Sequence, residues 1–234
     1  MPADIKVSIK EIIQRNYNVK SFRLEVKNPL DFKAGQFLSV TLNNDLKLKR
    51  YLSISSSPTE KDYLEFTKKL TESDFSKALA NLRVNDQLTI QYPFGKFILD
   101  ETFPKIAFLS GGIGITPIRS ICKYVVDKNL GSDIVLVYSN RSARDVVFKD
   151  DFDSFQKIYP ALRVAHVLCE TEPGFICSVG RIDAETIKHE IPDYLERKFY
   201  LCGPPPMVEA MRLLLAEELG VLPALIVREN FQGY

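Results

Sequence analysis

Through the first hundred residues, apolar and polar positions alternate in short runs. The segments IKVSIKEII (5–13), VKSFRLEV (19–26), QFLSVTL (36–42), KRYLSIS (49–55), YLEFTKKL (63–70) and QLTIQY (87–92) each read as a strand with two different faces. Their spacing predicts an antiparallel barrel or sandwich over residues 3–100. Gly35, the Asn43–Asn44 pair and Pro58 supply turns between them. One short helix is expected at 73–81.

After Pro104 the rhythm changes. Unbroken apolar runs, IAFLS (106–110), IVLVYS (134–139), RVAHVL (163–168), FYLC (199–202) and ALIV (224–227), alternate with helical patterns near 117–128, 150–158, 183–189 and 206–219. Strands without a polar face, separated by helices, predict a parallel sheet covered on both sides. The chain therefore divides near 98–104 into a β domain (1–100) and a doubly wound α/β domain (101–234).

Composition narrows the function. With 31 Lys plus Arg against 30 Asp plus Glu, the formal charge of +1 gives no electrostatic reason to expect nucleic acid or an acidic membrane as partner. The first residues lack a basic-then-apolar leader, and no apolar run reaches the roughly 20 residues of a membrane span, so the expected location is the cytoplasm. Cys122, Cys169, Cys177 and Cys202 are spaced like neither a zinc nor an iron–sulfur ligand set and read as reduced thiols. His166 and His189 have ordinary surroundings.

Three clusters carry chemistry. The first apolar strand of the second half runs into Ser110-Gly111-Gly112-Ile113-Gly114-Ile115-Thr116-Pro117. Glycines allow a sharp bend and close approach to a ligand, Thr116 is a suitable N-cap, and Pro117 suits a first helical turn. A helix start at the carboxyl edge of a parallel sheet favours phosphate. A second strand–helix junction, Tyr200-Leu201-Cys202-Gly203-Pro204-Pro205-Pro206-Met207, is expected to face the same crevice. In the β half, Arg50-Tyr51-Leu52-Ser53-Ile54-Ser55-Ser56 places Arg50 on one face with Leu52 and Ile54, where it needs a carboxylate or, better, a phosphate.

Taken in order, Arg-x-x-Ser-x-Ser-Ser, Gly-Gly-x-Gly-x-Thr-Pro and Cys-Gly-Pro-Pro-x-Met resemble the ferredoxin–NADP reductase superfamily over nearly the whole chain. The resemblance implies a flavin-binding barrel followed by a nicotinamide-binding domain. It implies that Arg50 binds the flavin pyrophosphate and that Ser53 lies near the reactive N5 edge. The family's stacking tyrosine is replaced here by Leu52. Either the leucine covers the ring or a bulge turns Tyr51 toward it. Lys69 and Ser76 correspond to flavin-lining and phosphate positions, although the paired glycines before the serine are absent. FAD is the implied flavin, with FMN as the lesser alternative.

In the second domain the resemblance implies that Gly111, Gly112, Gly114 and Thr116 hold the NAD(P)H pyrophosphate and nicotinamide end. Arg141 and Arg144 would lie near the adenosine ribose, with NADH or NADPH left open. Cys202, Gly203 and Pro204 would sit beside the nicotinamide, and Glu229 and Phe231, or Tyr234, over the flavin. The implied activity is hydride transfer from NAD(P)H to flavin, with Ser53, Cys202 and Glu229 at the reacting edge. Electrons would then pass to a separate ferredoxin, flavodoxin or oxygenase component, because the chain has no iron–sulfur ligands. Two alternatives are a free-flavin reductase and a nucleotide-binding or electron-transfer subunit without catalysis.

Overall fold

A computed structural model describes residues 3–26, 31–170 and 172–230. Phe231 and Tyr234 lie outside them. The β half contains strands β1 (Ile5–Gln14), β2 (Val19–Leu24), β3 (Phe37–Thr41), β4 (Lys49–Ser53), β5 (Leu64–Lys69) and β6 (Gln87–Phe94), with helix α1 (Asp74–Ala80) between the last two. Antiparallel pairing runs in the order β4-β3-β6-β1-β2-β5. An antiparallel bridge from Ile54 to Phe66 joins the two ends and closes the sheet into a barrel. Alternate positions fill its interior: Val7 and Ile9, Phe22 and Leu24, Leu38 and Val40, Leu88 and Ile90 are all buried together. The period-two reading of this half is thus realised in its core.

The second half contains β7 (Lys105–Gly111), α2 (Ile115–Lys128), β8 (Asp133–Asn140), α3 (Lys149–Ile158), β9 (Leu162–Leu168), β10 (Ser178–Val179), α4 (Ala184–Glu190), β11 (Lys198–Gly203), α5 (Pro205–Leu213) and β12 (Ile226–Asn230). These strands form a parallel sheet in the order β10-β9-β8-β7-β11-β12. Odd and even residues of β7 serve opposite faces. Ile106 and Phe108 pack under α2 and α3 with Ile118, Ile121 and Phe152. Ala107 and Leu109 pack under α4 and α5 with Ile187, Val208 and Met211. Both faces being covered is what the unbroken apolar runs require.

Two local expectations change. Thr116 is not the N-cap of α2. The cap position is Gly114, with no side-chain bond, and the Thr116 hydroxyl donates to the Ile113 carbonyl at 3.1 Å. The chain turns tightly through Gly112–Gly114 first, so the helix begins two residues earlier than the Thr-Pro pair signals. The helix expected over 206–219 keeps α-geometry only to Leu213 and then widens into a π-turn over Leu214–Glu218.

The halves are joined by a shared core and by charge. Val19, Ala34 and Phe97 of the first half are buried in the cluster beneath α2. Gly35 has φ +95°, and a Cβ there would strike the Phe97 carbonyl, so the linkage admits only glycine. Arg119 of α2 is 3% exposed. It donates to the Ser55 carbonyl at 3.0 Å, to Glu60 at 2.5 Å and to Asp151 at 2.7 Å. Burial pushes the Glu60 carboxyl upward, but its bonds to Arg119 outweigh this and hold it below the ordinary value. Beside it, the Ser120 hydroxyl donates to the Ser56 carbonyl at 2.6 Å.

Removing this guanidinium leaves two partly buried carboxylates facing each other. Arg119→Met is expected to destabilise the protein by about 3–5 kcal/mol, the usual cost of breaking a buried pair. Urea denaturation checks this. A loss below about 1 kcal/mol would show that the clamp is not what joins the halves.

Candidate functional site

The parallel sheet reverses its winding at β7. Strands β8, β9 and β10 extend to one side of it and β11 and β12 to the other. A crevice opens outside the carboxyl ends of the strands at such a switch point. Gly111 ends β7, Cys202 and Gly203 end β11, and Glu229 approaches the end of β12. Parallel pairing sets Cys202 between Ser110 and Glu229.

The glycines have separate physical reasons. A Cβ on Gly111 would strike the Met207 sulfur, and one on Gly114 would strike the Cys202 carbonyl. Gly112 has φ +52° and open space where a Cβ would lie. Its carbonyl accepts a 2.9 Å hydrogen bond from the buried Tyr138 hydroxyl, which fixes the turn. No side chain caps α2; the Ile115 N–H is taken by the Gly112 and Ile113 carbonyls and Pro117 has none, so the turn offers a ligand the positive end of the helix rather than a row of free donors. A cleft of about 600 Å³ continues from Gly111, Gly112, Pro204 and Met207 to Ser139, Arg141 and Arg144. Its volume, its glycine floor and its uncapped helix start fit a dinucleotide with an anionic centre.

The Cys202 corner is dry. The Cys202 thiol is wholly buried, and burial, with the Glu229 charge as a lesser cause, holds it well above its ordinary value. A raised thiol is a neutral wall and not a nucleophile at physiological pH. Glu229 is pushed up to about 7 by burial. Its Oε2 and the Ser110 hydroxyl oxygen are buried without a hydrogen-bond partner among the described residues. Unsatisfied buried oxygens at converging strand ends suit a polar ligand that completes them. The other Glu229 oxygen, Oε1, would lie 3.7 Å from a Cβ built on Gly95 of the barrel. That built atom would also touch the Phe37 ring, and Phe37 pairs with Ser53 across β3 and β4. Glu229, paired with Cys202, thereby faces the barrel at Gly95 and Phe37, and Ser53 is the strand partner of Phe37.

At the barrel mouth, Arg50 is exposed, with its guanidinium 5.6 Å from the Phe75 ring centroid. It donates to the carbonyls of Lys47 and Lys49. Lys68 is buried, and its ammonium is held below its ordinary value by burial and then by the Arg50 and Lys69 charges. Like charges crowded this way fit an anionic group such as a flavin pyrophosphate. Ser76 is buried within a hydroxyl cluster, 3.1 Å from both Thr71 and Ser73 oxygens. It stabilises the start of α1, which Ser73 caps.

The β3–β4 register is regular at Leu38–Leu52 and Ser39–Tyr51, so no bulge turns Tyr51 onto the Leu52 face. Tyr51 instead packs edge-on against Phe37 and Phe94. Leu52 lies half-buried against the barrel core. Arg141 is tied to Glu170 at 2.8 Å on the cleft wall. Sequence reasoning missed Lys68, Met207, the Arg119 clamp and the Asn16–Asn18 hairpin tip that lines the cleft. Met207 stood in a quoted motif, whereas nothing in a one-dimensional pattern ties the hairpin to a loop more than a hundred residues away.

A glycine-floored cleft at the switch point of a parallel sheet, bordered by Lys69 of the barrel, has the form of a nucleotide site shared by the two halves. A model of the oxidoreductase FAD-binding domain matches residues 4–98, and a model of the oxidoreductase NAD-binding domain matches 108–213. The glycine betaine monooxygenase reductase subunit of Chromohalobacter salexigens is 33% identical over 218 residues, 88% of this chain and 58% of that protein. The chain thus spans little more than half of that relative. NADH-cytochrome b5 reductase 1 of Aspergillus terreus is 31% identical, covering 92% of this chain and 78% of that one. The ferredoxin reductase in carbazole 1,9a-dioxygenase superposes with a TM-score of 0.84 at 25% identity, over 98% of this chain and 69% of that one. The chain belongs to the ferredoxin–NADP reductase family of FAD- and NAD(P)H-dependent oxidoreductases. Among the described residues, no helix is long and apolar enough to cross a membrane.

Glu229 makes a prediction on stability. Its pKa is raised in the fold from 4.5 to about 7, so the folded state holds a proton that the unfolded chain has released. Its contribution is full below pH 4.5 and is lost as pH rises toward 7. Glu229→Gln is therefore expected to gain stability relative to the parent from pH 4.5 to 7, with a constant difference above. Denaturant midpoints at pH 5, 6 and 8 on cofactor-free protein check it, and a pH-independent difference would contradict the assignment.

Proposed function

We propose that this protein draws a hydride from NAD(P)H onto bound FAD and passes electrons to a separate redox protein, such as a ferredoxin, a flavodoxin or an oxygenase component. One observation carries the reading. The glycine-floored cleft at the parallel-sheet switch point is bordered by Lys69 of the barrel, and Cys202 and Glu229 pair side by side at the adjoining strand ends. Bound FAD would supply two-electron acceptance and one-electron release.

The chain's own residues do the rest. Gly112, open where a Cβ would lie, lets the backbone approach the dinucleotide, Gly111 and Gly114 let the turn pack against Met207 and the Cys202 carbonyl, and the start of α2 faces the pyrophosphate. Thr116 closes that turn through Ile113 and acts by positioning. Gly203 and Pro204 lead the chain away from Cys202 without filling the crevice. Cys202 offers a neutral wall beside the reacting edge and excludes water. The Glu229 carboxyl, near half-protonated at neutral pH, can hold or release a proton at Oε2. Arg50, Lys68 and Lys69 hold the flavin phosphates, and Ser53 lines the ring edge. Arg141, with Arg144, meets the adenosine end of NAD(P)H. The reductase-subunit names of relatives support a protein acceptor.

A second reading, a free-flavin reductase, is favoured by Leu52 and by the engaged Tyr51, which leave β4 without an aromatic ring on the Leu52 face. The visible spectrum of purified protein, followed by NADH or NADPH without oxygen, separates the two. The first reading expects a flavin spectrum that bleaches, the second a colourless protein that oxidises coenzyme only with added flavin. Arg50→Ala is expected to weaken flavin binding roughly ten- to a hundredfold, the range for charge-assisted hydrogen bonds. Unchanged affinity would remove Arg50 from the phosphate site.

A further inference from the structure

The barrel contributes a wall to the dinucleotide cleft. The hairpin between β1 and β2 reaches across to the loop after β8. There Tyr17 Oη donates to Asp145 Oδ1 at 2.5 Å, and Asn16 Nδ2 donates to the Arg144 carbonyl at 3.2 Å. The Arg144 guanidinium lies 5.3 Å from the Tyr17 ring centroid. Tyr17 nonetheless remains 60% exposed, and it lines the cleft opposite Gly111 and Gly112. With its hydroxyl anchored and one face against the Arg144 guanidinium, the exposed ring offers its other face as a flat apolar surface of fixed orientation, so little entropy is lost when a planar group stacks on it. Arg141, Arg144 and Arg181 border the same cleft and suit the phosphates of a nucleotide carrying that planar group.

We propose that Tyr17 is a positioning residue whose ring forms the stacking wall for an adenine base. This rests on the dinucleotide reading above and extends the nucleotide site onto the barrel. Two adenines are chemically equivalent candidates, that of NAD(P)H and that of FAD, because Lys69 of the flavin side borders the same cleft. Continuity with Gly111 and Gly112 favours the first.

The test compares the parent with Tyr17→Phe, which keeps the ring and loses the tether, and with Tyr17→Ala. ADP-ribose binding is measured by calorimetry. Tyr17→Ala is expected to bind about tenfold more weakly, and Tyr17→Phe within about twofold of the parent, given the usual strength of base–aromatic stacking. In steady state, Tyr17→Ala should raise KM for NAD(P)H by a similar factor with kcat little changed. It should show no such penalty with reduced nicotinamide mononucleotide, which lacks adenine. If ADP-ribose binding is unchanged while affinity for FAD, but not FMN, falls about tenfold, the stacked adenine is the flavin's. The proposal is overturned if Tyr17→Phe loses as much as Tyr17→Ala, if the loss extends to adenine-free ligands, or if no ligand is affected. A parent protein that fails to oxidise NAD(P)H would count against the proposed function alone, since the ADP-ribose measurement needs no turnover.

Discussion

Arg119 lies where the barrel and the parallel domain would otherwise meet across unpaired acids. Its guanidinium is shared between Ser55 and Glu60 on one side and Asp151 on the other. An arginine suits this place because its planar fork reaches several acceptors at fixed angles and its charge persists when water is excluded. The clamp leans on further buried charge. Glu65, wholly buried, takes bonds from Arg15, Arg23 and Ser55, and Arg15 continues to Asp151 at 3.6 Å. Every site feature that draws on both halves depends on this relative placement. The approach of Glu229 to Gly95 and Phe37, and of the hairpin to Asp145, relies on α2 being pinned to the Ser55–Glu60 segment together with the shared core of Val19, Ala34 and Phe97.

Within that frame the switch point does most of the local work. Ser110, Cys202 and Glu229 come from distant parts of the chain, yet strand pairing sets them side by side. Ser110 and Cys202 are wholly buried within the covered sheet, and burial is what lifts Glu229, on the edge strand β12, into the neutral range. Ordinary sheet packing thus tunes the carboxyl without any dedicated partner.

Much of this was legible in the sequence. The change from alternating to continuous apolar runs reported a barrel followed by a covered parallel sheet, because period and burial are local properties. The glycine turn and the Cys-Gly-Pro junction were readable because backbone geometry limits which residues can occupy them. The start of α2 was misread since Thr-Pro is a sound local signal, while the 3-10 turn at Gly112–Gly114 is fixed by distant contacts with Cys202 and Tyr138. Arg119, Lys68 and Tyr17 were not legible at all. Each looks like an ordinary surface residue on its own element, and only tertiary placement makes it a clamp, a crowded cation or a wall.

Flavin phosphates held among Arg50, Lys68 and Lys69, as proposed, would link folding to cofactor loading. A fold that gathers cations is relieved by whatever anion settles among them, so a ligand bound only by the folded chain adds to its stability in proportion to the logarithm of ligand concentration. The barrel mouth then acts as a quality gauge. A flavin bound there would make the loaded chain the more resistant to unfolding and the empty chain the more fragile fraction.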